Sequence, residues 1–400
     1  MTSPSSATSA PHPKITPALT ILLACACGAI AANLYYAQPL IKLIGPDVGL
    51  SPHVASLVVT LTQIGYGCGL VLLVPLGDIV ENKRLITIAV AVTSVALVLT
   101  ALAPTALPFL GAALFIGFSS SVIQMLVPLA ASMTDEANRG RTVGNVMSGL
   151  MVGILLARPI SGFLSDIVGW RGVFALSAAF MIVLLLLLLR FLPRRHPSGT
   201  HSYPELLKSL WTIWRATPLL RRRGIYQFFL FADFSLFWTA VPLELAGPDF
   251  GYSQSQIALF ALAGAAGALS APIAGRMADA GHTRFGTGAA IVGVFASFAL
   301  AWLGGHFLSI ALMTLAALAV DFCVQANTVF GQRALYMLAP QIRNRLNGLY
   351  IATFFLGGAL GSAVASPLHE AFGWPAIVAA GLAFPAMSFL YFLTEPREKA

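Results

Sequence analysis

Between Leu85 and Thr134 the chain carries no Asp, Glu, Lys or Arg, and that absence fixes the solvent in which it folds. A helix crossing the hydrocarbon core of a bilayer needs about 20 predominantly apolar residues, because its backbone polar groups must be satisfied within the segment. Turn-forming or charged breaks divide the 400 residues into twelve such stretches, with approximate limits 17–41, 54–76, 85–103, 107–131, 142–165, 171–192, 224–246, 256–277, 284–303, 307–332, 345–367 and 373–393. Hydrophobic residues make up 58% of the chain and charged ones 10%, which excludes a soluble domain. Continuous runs of this length are also unlike outer-membrane barrel strands, which alternate apolar and polar over roughly 10 residues. The sequence therefore predicts an all-α membrane protein.

The chain is also duplicated. The string Gly45-Pro46-Asp47-Val48-Gly49-Leu50-Ser51 returns as Gly247-Pro248-Asp249-Phe250-Gly251-Tyr252-Ser253. At nearly the same offset Arg141, Gly144, Gly153, Gly169 and Trp170 return as Arg345, Gly348, Gly357, Gly373 and Trp374, and Asp78 returns as Asp279. Paired repeats are how many secondary transporters are built. The expected architecture is twelve transmembrane helices in two pseudo-symmetric six-helix bundles, over 17–192 and 224–393, joined by a linker over 193–223 and flanked by tails over 1–16 and 394–400.

Lys and Arg in short loops orient such a chain, since they stay on the cytoplasmic side. With the N-terminus inside, 20 of the 23 basic residues fall inside, Lys42 and Arg171 fall outside and Arg158 lies within a span. Both termini and the linker are then cytoplasmic. The net charge of +8 is accounted for by this anchoring, with no nucleic-acid partner implied. The Ser-, Thr- and Pro-rich start, 1–16, reads as a disordered cytoplasmic tail. In the linker, Leu206, Leu207, Leu210, Trp211 and Trp214 recur at helical spacing beside basic residues, as in a helix lying on a membrane surface. Cys25, Cys27, Cys68 and Cys323 all lie in apolar segments without metal-ligand spacing and read as small packing residues.

Over its whole length the chain resembles the major facilitator superfamily, in a bacterial branch similar to the drug:proton antiporters. That family places Gly-x-x-x-Asp-Arg-x-Gly-Arg-Arg after its second helix; here the loop reads Val74-Pro75-Leu76-Gly77-Asp78-Ile79-Val80-Glu81-Asn82-Lys83-Arg84. Asp78 and the basic pair match, while Val74, Ile79 and Glu81 depart. The counterpart from Gly275 to Arg284 keeps the Gly and Asp279. Helix 5 resembles the glycine-rich antiporter signature in Gly144, Gly153, Pro159 and Gly162, with Arg158 where that signature has Gly. Ala113 stands where such antiporters carry an Arg in helix 4, and helix 1 lacks their acid. The resemblance implies a multi-pass protein of the bacterial inner membrane, a monomer whose partners are the bilayer, a small-molecule substrate and protons. It also implies a conformational gate formed by Asp78, Lys83, Arg84, Arg141 and Asp279, and a central cavity lined by helices 1, 4, 7 and 10.

Two acids lie deep in those helices. Asp233 is nine residues from Gly224, hence ~14 Å along helix 7, and Asp321 is central in helix 10. A charge near the bilayer midplane costs roughly 2.5–3.5 kcal/mol and normally faces a cavity and serves a function, so both are expected to couple protons. Asn33, Tyr35, Tyr36 and Gln38 in helix 1, Gln124 in helix 4, Tyr226, Phe237 and Trp238 in helix 7 and Gln325 in helix 10 are the expected lining. Gln325, one turn from Asp321, is positioned to hydrogen-bond it. Arg158, ~24 Å along helix 5 from Thr142, and Glu244, on the Asp233 face of helix 7, are candidates for a coupling or anion site.

An integral membrane enzyme would need a catalytic constellation. The seven His residues are scattered through loops and ends, and no Gly-x-x-x-x-Gly-Lys-Ser/Thr loop for ATP occurs. The expectation is no enzyme and no cofactor. The leading reading is proton-coupled efflux of a small organic molecule by alternating access; proton-coupled uptake by symport, and a membrane protein without transport activity, remain open.

Overall fold

The computed structural model describes residues 15–197, 202–338 and 342–395. The expected tail up to residue 14, linker residues 198–201 and the last five residues, 396–400, lie outside them. The described chain is all helical: α1 (Pro17–Ala32), α2 (Ile41–Asp47), α3 (Leu57–Leu72), α4 (Asn82–Leu102), α5 (Ala106–Ser120), α6 (Ile123–Ser132), α7 (Glu136–Phe191), α8 (Tyr203–Ala216), α9 (Pro218–Leu245), α10 (Gln254–Ala261), α11 (Ala266–Asp279), α12 (Thr283–His306), α13 (Ile310–Tyr336), α14 (Arg343–Phe372) and α15 (Trp374–Leu393). Their starts follow local chemistry. Thr16 caps α1 by accepting from the Leu19 N–H at 3.2 Å, with Pro17 at the first position; Ser253 and Gln256 form a reciprocal capping box on α10.

Among the described residues, ten helical stretches are long and apolar enough to cross a membrane, against twelve predicted segments. Two local breaks make the difference. The expected first helix is continuous only over Pro17–Ala32, then turns through residues 33–37 into a short 3-10 stretch at Gln38–Leu40. The expected fifth and sixth helices run together as α7, broken at Gly169, whose φ of 70° and ψ of 169° are non-helical.

The repeated glycines occupy equivalent places. Gly169 and Gly373 sit at φ 70° and 69° before Trp170 and Trp374, and Gly49 and Gly251 at φ 76° and 64° close the two copies of the duplicated string. A side chain is strained at such angles, so each copy turns where only glycine turns cheaply. In the first copy the turn is also clamped: Asp47 accepts from Trp170 Nε1 at 2.9 Å and Arg171 Nη1 at 2.7 Å, and these donors, Trp170 foremost, hold its carboxyl below the usual carboxylate range.

Helix packing relies on small residues, as it must where lipid offers no hydrophobic drive for association. Gly28, Gly149 and Gly153 bring α1 and α7 into backbone contact, and Gly357 and Gly361 set α14 against the Phe228 and Ala232 carbonyls of α9. The repeat pair Gly153 and Gly357 thus performs the same task twice.

Contacts between the two repeats concentrate at the end marked by Gly251. There Ser56 and Ser366 exchange backbone-to-hydroxyl bonds at 3.0 and 3.4 Å, and the Thr60 and Ser362 hydroxyls meet at 2.9 Å. Asp166 accepts from the Ser255 N–H at 3.0 Å and from its hydroxyl, and Lys42 reaches the Ala246 carbonyl. At the opposite, linker end, a Cβ added to Gly144, Gly275 or Gly348 would meet nothing within 4 Å. The linker helix α8 buries Leu206 and Leu210 and leaves Trp211 exposed; Tyr203 donates to the Leu72 carbonyl at 2.8 Å. Part of its apolar face is therefore covered by protein.

A methyl group at Gly357 would overlap the Phe228 carbonyl. Gly357→Ala should lower stability in detergent by about 1–3 kcal/mol, the usual cost of overpacking, while Gly348→Ala should stay within about 0.5 kcal/mol of the parent. Thermal unfolding checks both, and equal effects would contradict the packing role given to Gly357.

Candidate functional site

The break in the first helix delivers its polar string to the middle of the molecule. Gln38 opens the 3-10 turn and accepts a hydrogen bond from Arg158 Nε of α7 at 2.7 Å. The Arg158 guanidinium lies over three rings, with its Cζ 4.8 Å from the centroid of Tyr35, 5.3 Å from Phe234 and 4.5 Å from Trp238. Trp238, on α9, donates its indole N–H to Asp321 Oδ1 of α13 at 2.9 Å. Tyr35, Gln38 and Arg158 come from the first repeat, and Phe234, Trp238 and Asp321 from the second. The cluster therefore spans the join between them.

Its charged members are almost wholly buried: Arg158 and Asp321 are each 4% exposed and Gln38 1%. Arg158 Nη2, Gln38 Nε2 and Asp321 Oδ2 have no hydrogen-bond partner. Arg158 and Asp321 converge on Gly264: a Cβ built there would lie 2.9 Å from Asp321 Oδ2 and 3.6 Å from Arg158 Nη1. Cation-π stacking, worth about 2 kcal/mol or more when desolvated, and the Gln38 and Trp238 bonds offset part of the burial cost. The unused donors and acceptor leave the site incomplete, and such groups are expensive unless something completes them.

Asp233 has a different setting. It is fully buried, and neither carboxylate oxygen has a partner. One turn to either side on the same helical stripe, Phe229 stacks on Phe384 and Phe237 packs edge-on against Phe298 and Trp374. The stripe faces the interior of the second repeat, whereas Trp238 faces Arg158.

The other expected lining residues are dispersed. Asn33 donates to the Ala29 carbonyl and accepts from Ser177 at 2.6 Å, and Tyr36 also lies beside Ser177. Gln124 donates to the Tyr66 hydroxyl at 3.1 Å, and Tyr66 packs on Phe355 across the repeats. Tyr226 belongs to a network at the linker end, where its hydroxyl donates to Glu395 at 3.0 Å beside Arg222 and Arg223. Phe237 backs Trp238 at 5.6 Å. Gln325 makes no side-chain hydrogen bond among the described residues, and the donor expected from it on Asp321 comes instead from Trp238. Glu244 pairs with His369 at 3.0 Å, near the Gly251 end.

Of the expected gate residues, Asp78 lies 3.4 Å from Arg345, the repeat counterpart of Arg141, across the two repeats. Asp279 pairs with Arg333 inside the second repeat. Arg141 is exposed and, with Lys83 and Arg84, makes no side-chain ion pair among the described residues. Sequence reasoning missed Phe234, Gly264 and Arg345 in these roles. The duplication offered a signal for Arg345, whose match to Arg141 was visible; nothing in the sequence marked Gly264.

Removing one partner of a buried charge pair leaves the other uncompensated, a cost of about 3–5 kcal/mol. Arg158→Gln and Asp321→Asn should each lower thermal stability, and the double variant should lose less than their sum, with a coupling of about 1–3 kcal/mol. Strict additivity would show that the two side chains do not sense each other.

Residues 21–231 and 223–400 match the family model of the Major Facilitator Superfamily. The chain is 38% identical over 381 residues to an uncharacterized transporter, YgaY, of Escherichia coli O157:H7, covering 95% of this chain and 96% of that one. Among solved structures, a bacterial homolog of the human lysosomal transporter Spinster, in an inward-facing and occupied conformation, superposes with a TM-score of 0.74 at 15% identity, covering 94% of this chain and 96% of that one. A D-xylose-proton symporter superposes at 0.71 and 15% identity, over 94% and 98%. The chain belongs to the Major Facilitator Superfamily and is a multi-pass membrane transporter.

Proposed function

We propose that the protein is a proton-coupled secondary transporter of the bacterial inner membrane that exports a small organic molecule by alternating access. In this reading twelve spans form two six-helix bundles, the linker end and both termini are cytoplasmic, and the protein works as a monomer. The observation that carries it is the buried cluster of Arg158, Gln38, Trp238 and Asp321, built from both repeats and left with unused hydrogen-bonding atoms. Relative motion of the repeats must rearrange it. The hydroxyl and backbone bonds that join the repeats at the Gly251 end suit a conformer open toward the linker side.

Asp321 is the proton carrier in this scheme, because it sits where the repeats meet and Arg158 shares its surroundings. Asp233, enclosed within the second repeat, is the secondary candidate. The exposed Asp78 and Arg345 pair acts as a latch: it bridges the repeats at the linker end but, as a surface ion pair, is worth only about 0–1 kcal/mol and opens easily. The glycine-rich stretch of α7 supports export. Uptake by symport is the second reading, favoured by Ala113, which is buried in α5 where antiporters of the resembling branch carry an Arg.

Metabolite comparison of overexpressing and deletion cells would supply a substrate, and flux in proteoliposomes under an imposed pH gradient would test the coupling. Asp321→Asn should cut gradient-driven accumulation at least tenfold while sparing substrate-for-substrate exchange at saturating substrate; Asp233→Asn should retain accumulation. Full accumulation by Asp321→Asn would overturn the assignment.

A further inference from the structure

We propose that the crevice between the linker-side ends of α1 and α7 is a site for one anionic phospholipid, its tail lying between the two helices and its phosphate held by Arg190, Arg194 and Arg195. The proposal goes beyond the transport reading and takes from it only the orientation that puts this crevice in the cytoplasmic leaflet.

The crevice exists because the two helices are tied at one end of their contact. Asn33, just past α1, accepts from the Ser177 hydroxyl of α7 at 2.6 Å. Toward the linker end a gap of about 580 Å³ separates them, walled by Leu22 on one side and Phe180 and Leu184 on the other, with Thr16 and Pro193 at its mouth and Cys25 at its deep end. Ile21 and Leu187 also line it and are 64% and 40% exposed, so it opens sideways onto the lipid-facing surface.

Its depth suits one leaflet. Cys25 stands nine residues beyond Thr16, ~14 Å along the helix, against about 15 Å for half of a hydrocarbon core about 30 Å thick. An unfilled gap forfeits the dispersion contacts of its lining, and an apolar lining gives water no partners. A lipid tail supplies what both lack. The segment before Ile15, rich in Ser, Thr and Pro, is too polar to serve as the filling.

Charge selects the headgroup. Arg190, in the last turn of α7, holds its guanidinium 5.5 Å from the ring of Phe191, which lines the crevice. Arg194 and Arg195 directly follow Pro193 at the mouth. Arg195 is fixed there, since its side chain donates to Ser132 and its carbonyl accepts from the Asn82 N–H at 3.0 Å. Among the described residues Glu81, 4.0 Å from Arg194, is the one acid that an ion pair joins to any of the three. Guanidinium groups in excess of carboxylates at the headgroup level suit a phosphate.

The test is native mass spectrometry of the full-length protein in detergent with phosphatidylglycerol and phosphatidylcholine of identical tails. The parent should retain the anionic lipid at least about fivefold more, the worth of one basic side chain at a membrane surface. The triple variant Arg190→Gln, Arg194→Gln, Arg195→Gln should lose that preference, whereas Lys208→Gln with Arg215→Gln, both on α8, should keep it. Ala18→Trp and Leu187→Trp, which fill the crevice from its two walls, should each cut retention of both lipids severalfold, and Leu186→Trp, outside the lining and 60% exposed, should not. Cys25 supplies a readout that needs no change in the crevice: with Cys27, Cys68 and Cys323 replaced by Ala, phosphatidylglycerol should slow its alkylation by N-ethylmaleimide severalfold more than phosphatidylcholine does. Equal retention of the two lipids, a preference that survives loss of the three arginines, retention unchanged by both crevice fillers in proteins that still unfold cooperatively, or alkylation indifferent to the lipid would each overturn the proposal. So would retention that rises on deletion of residues 2–13, because the start of the chain would then be the occupant.

Discussion

Trp238 is the piece on which the centre of the molecule depends. Its ring face stacks on Arg158 at 4.5 Å while its indole N–H is bonded to Asp321 at 2.9 Å, so one rigid side chain sets the relation between a cation from one repeat and an anion from the other. Phe237 and Phe260 hold the indole at 5.6 and 6.0 Å. Without that brace the acid and base would be free to collapse into a direct ion pair, and the unused atoms would disappear. A buried, braced and incomplete charge pair is costly, which is the mark of a site that something else completes.

The proposed transport cycle asks that this site be reached from different sides. Glycines bring helices close inside each repeat, α1 to α7 and α9 to α14, and also at the join, where Gly162 lies against Ala258 and Gly358 against Gln63; hydroxyl pairs such as Thr60 and Ser362 and ion pairs such as Asp78 and Arg345 add to the contacts between repeats. Backbone-close packing is hard to deform, and hydroxyl pairs exchange readily with water. In the proposed cycle the repeats are the rigid units, and the join between them is the surface that must separate.

Much of this was legible in the sequence because it rests on patterns of two kinds. Apolar run length shows where helices are, and the duplication shows which turns are equivalent: Gly169 and Gly373 both sit at positive φ, 70° and 69°, as the repeat suggested. Asp321, Trp238, Gln38 and Tyr35 were visible as polar or aromatic groups deep in spans, and they converge. Asn33, Tyr36, Gln124 and Tyr226 carried the same signal and settle elsewhere. Helical spacing says which residues share a face but not what that face meets, so Asn33 turning to Ser177, or the Phe229, Asp233 and Phe237 stripe facing Phe384 and Phe298, needed the tertiary packing. The unwinding after Ala32 was hidden for a related reason: apolar composition marks a span without marking where its helix breaks.

In the proposed cycle the two repeats move as units about the Arg158 and Asp321 cluster. Distances between paired spin labels test it most directly, in a cysteine-free background, with one pair at Val54 and Phe372 near the Gly251 end and another at Gly144 and Gly275 near the linker end. On passing from pH 8 to pH 5 the two distances should shift in opposite senses, one end closing as the other opens, and Asp321→Asn should abolish the shift. Distances that move in the same sense, or a response to pH that survives in Asp321→Asn, would contradict it.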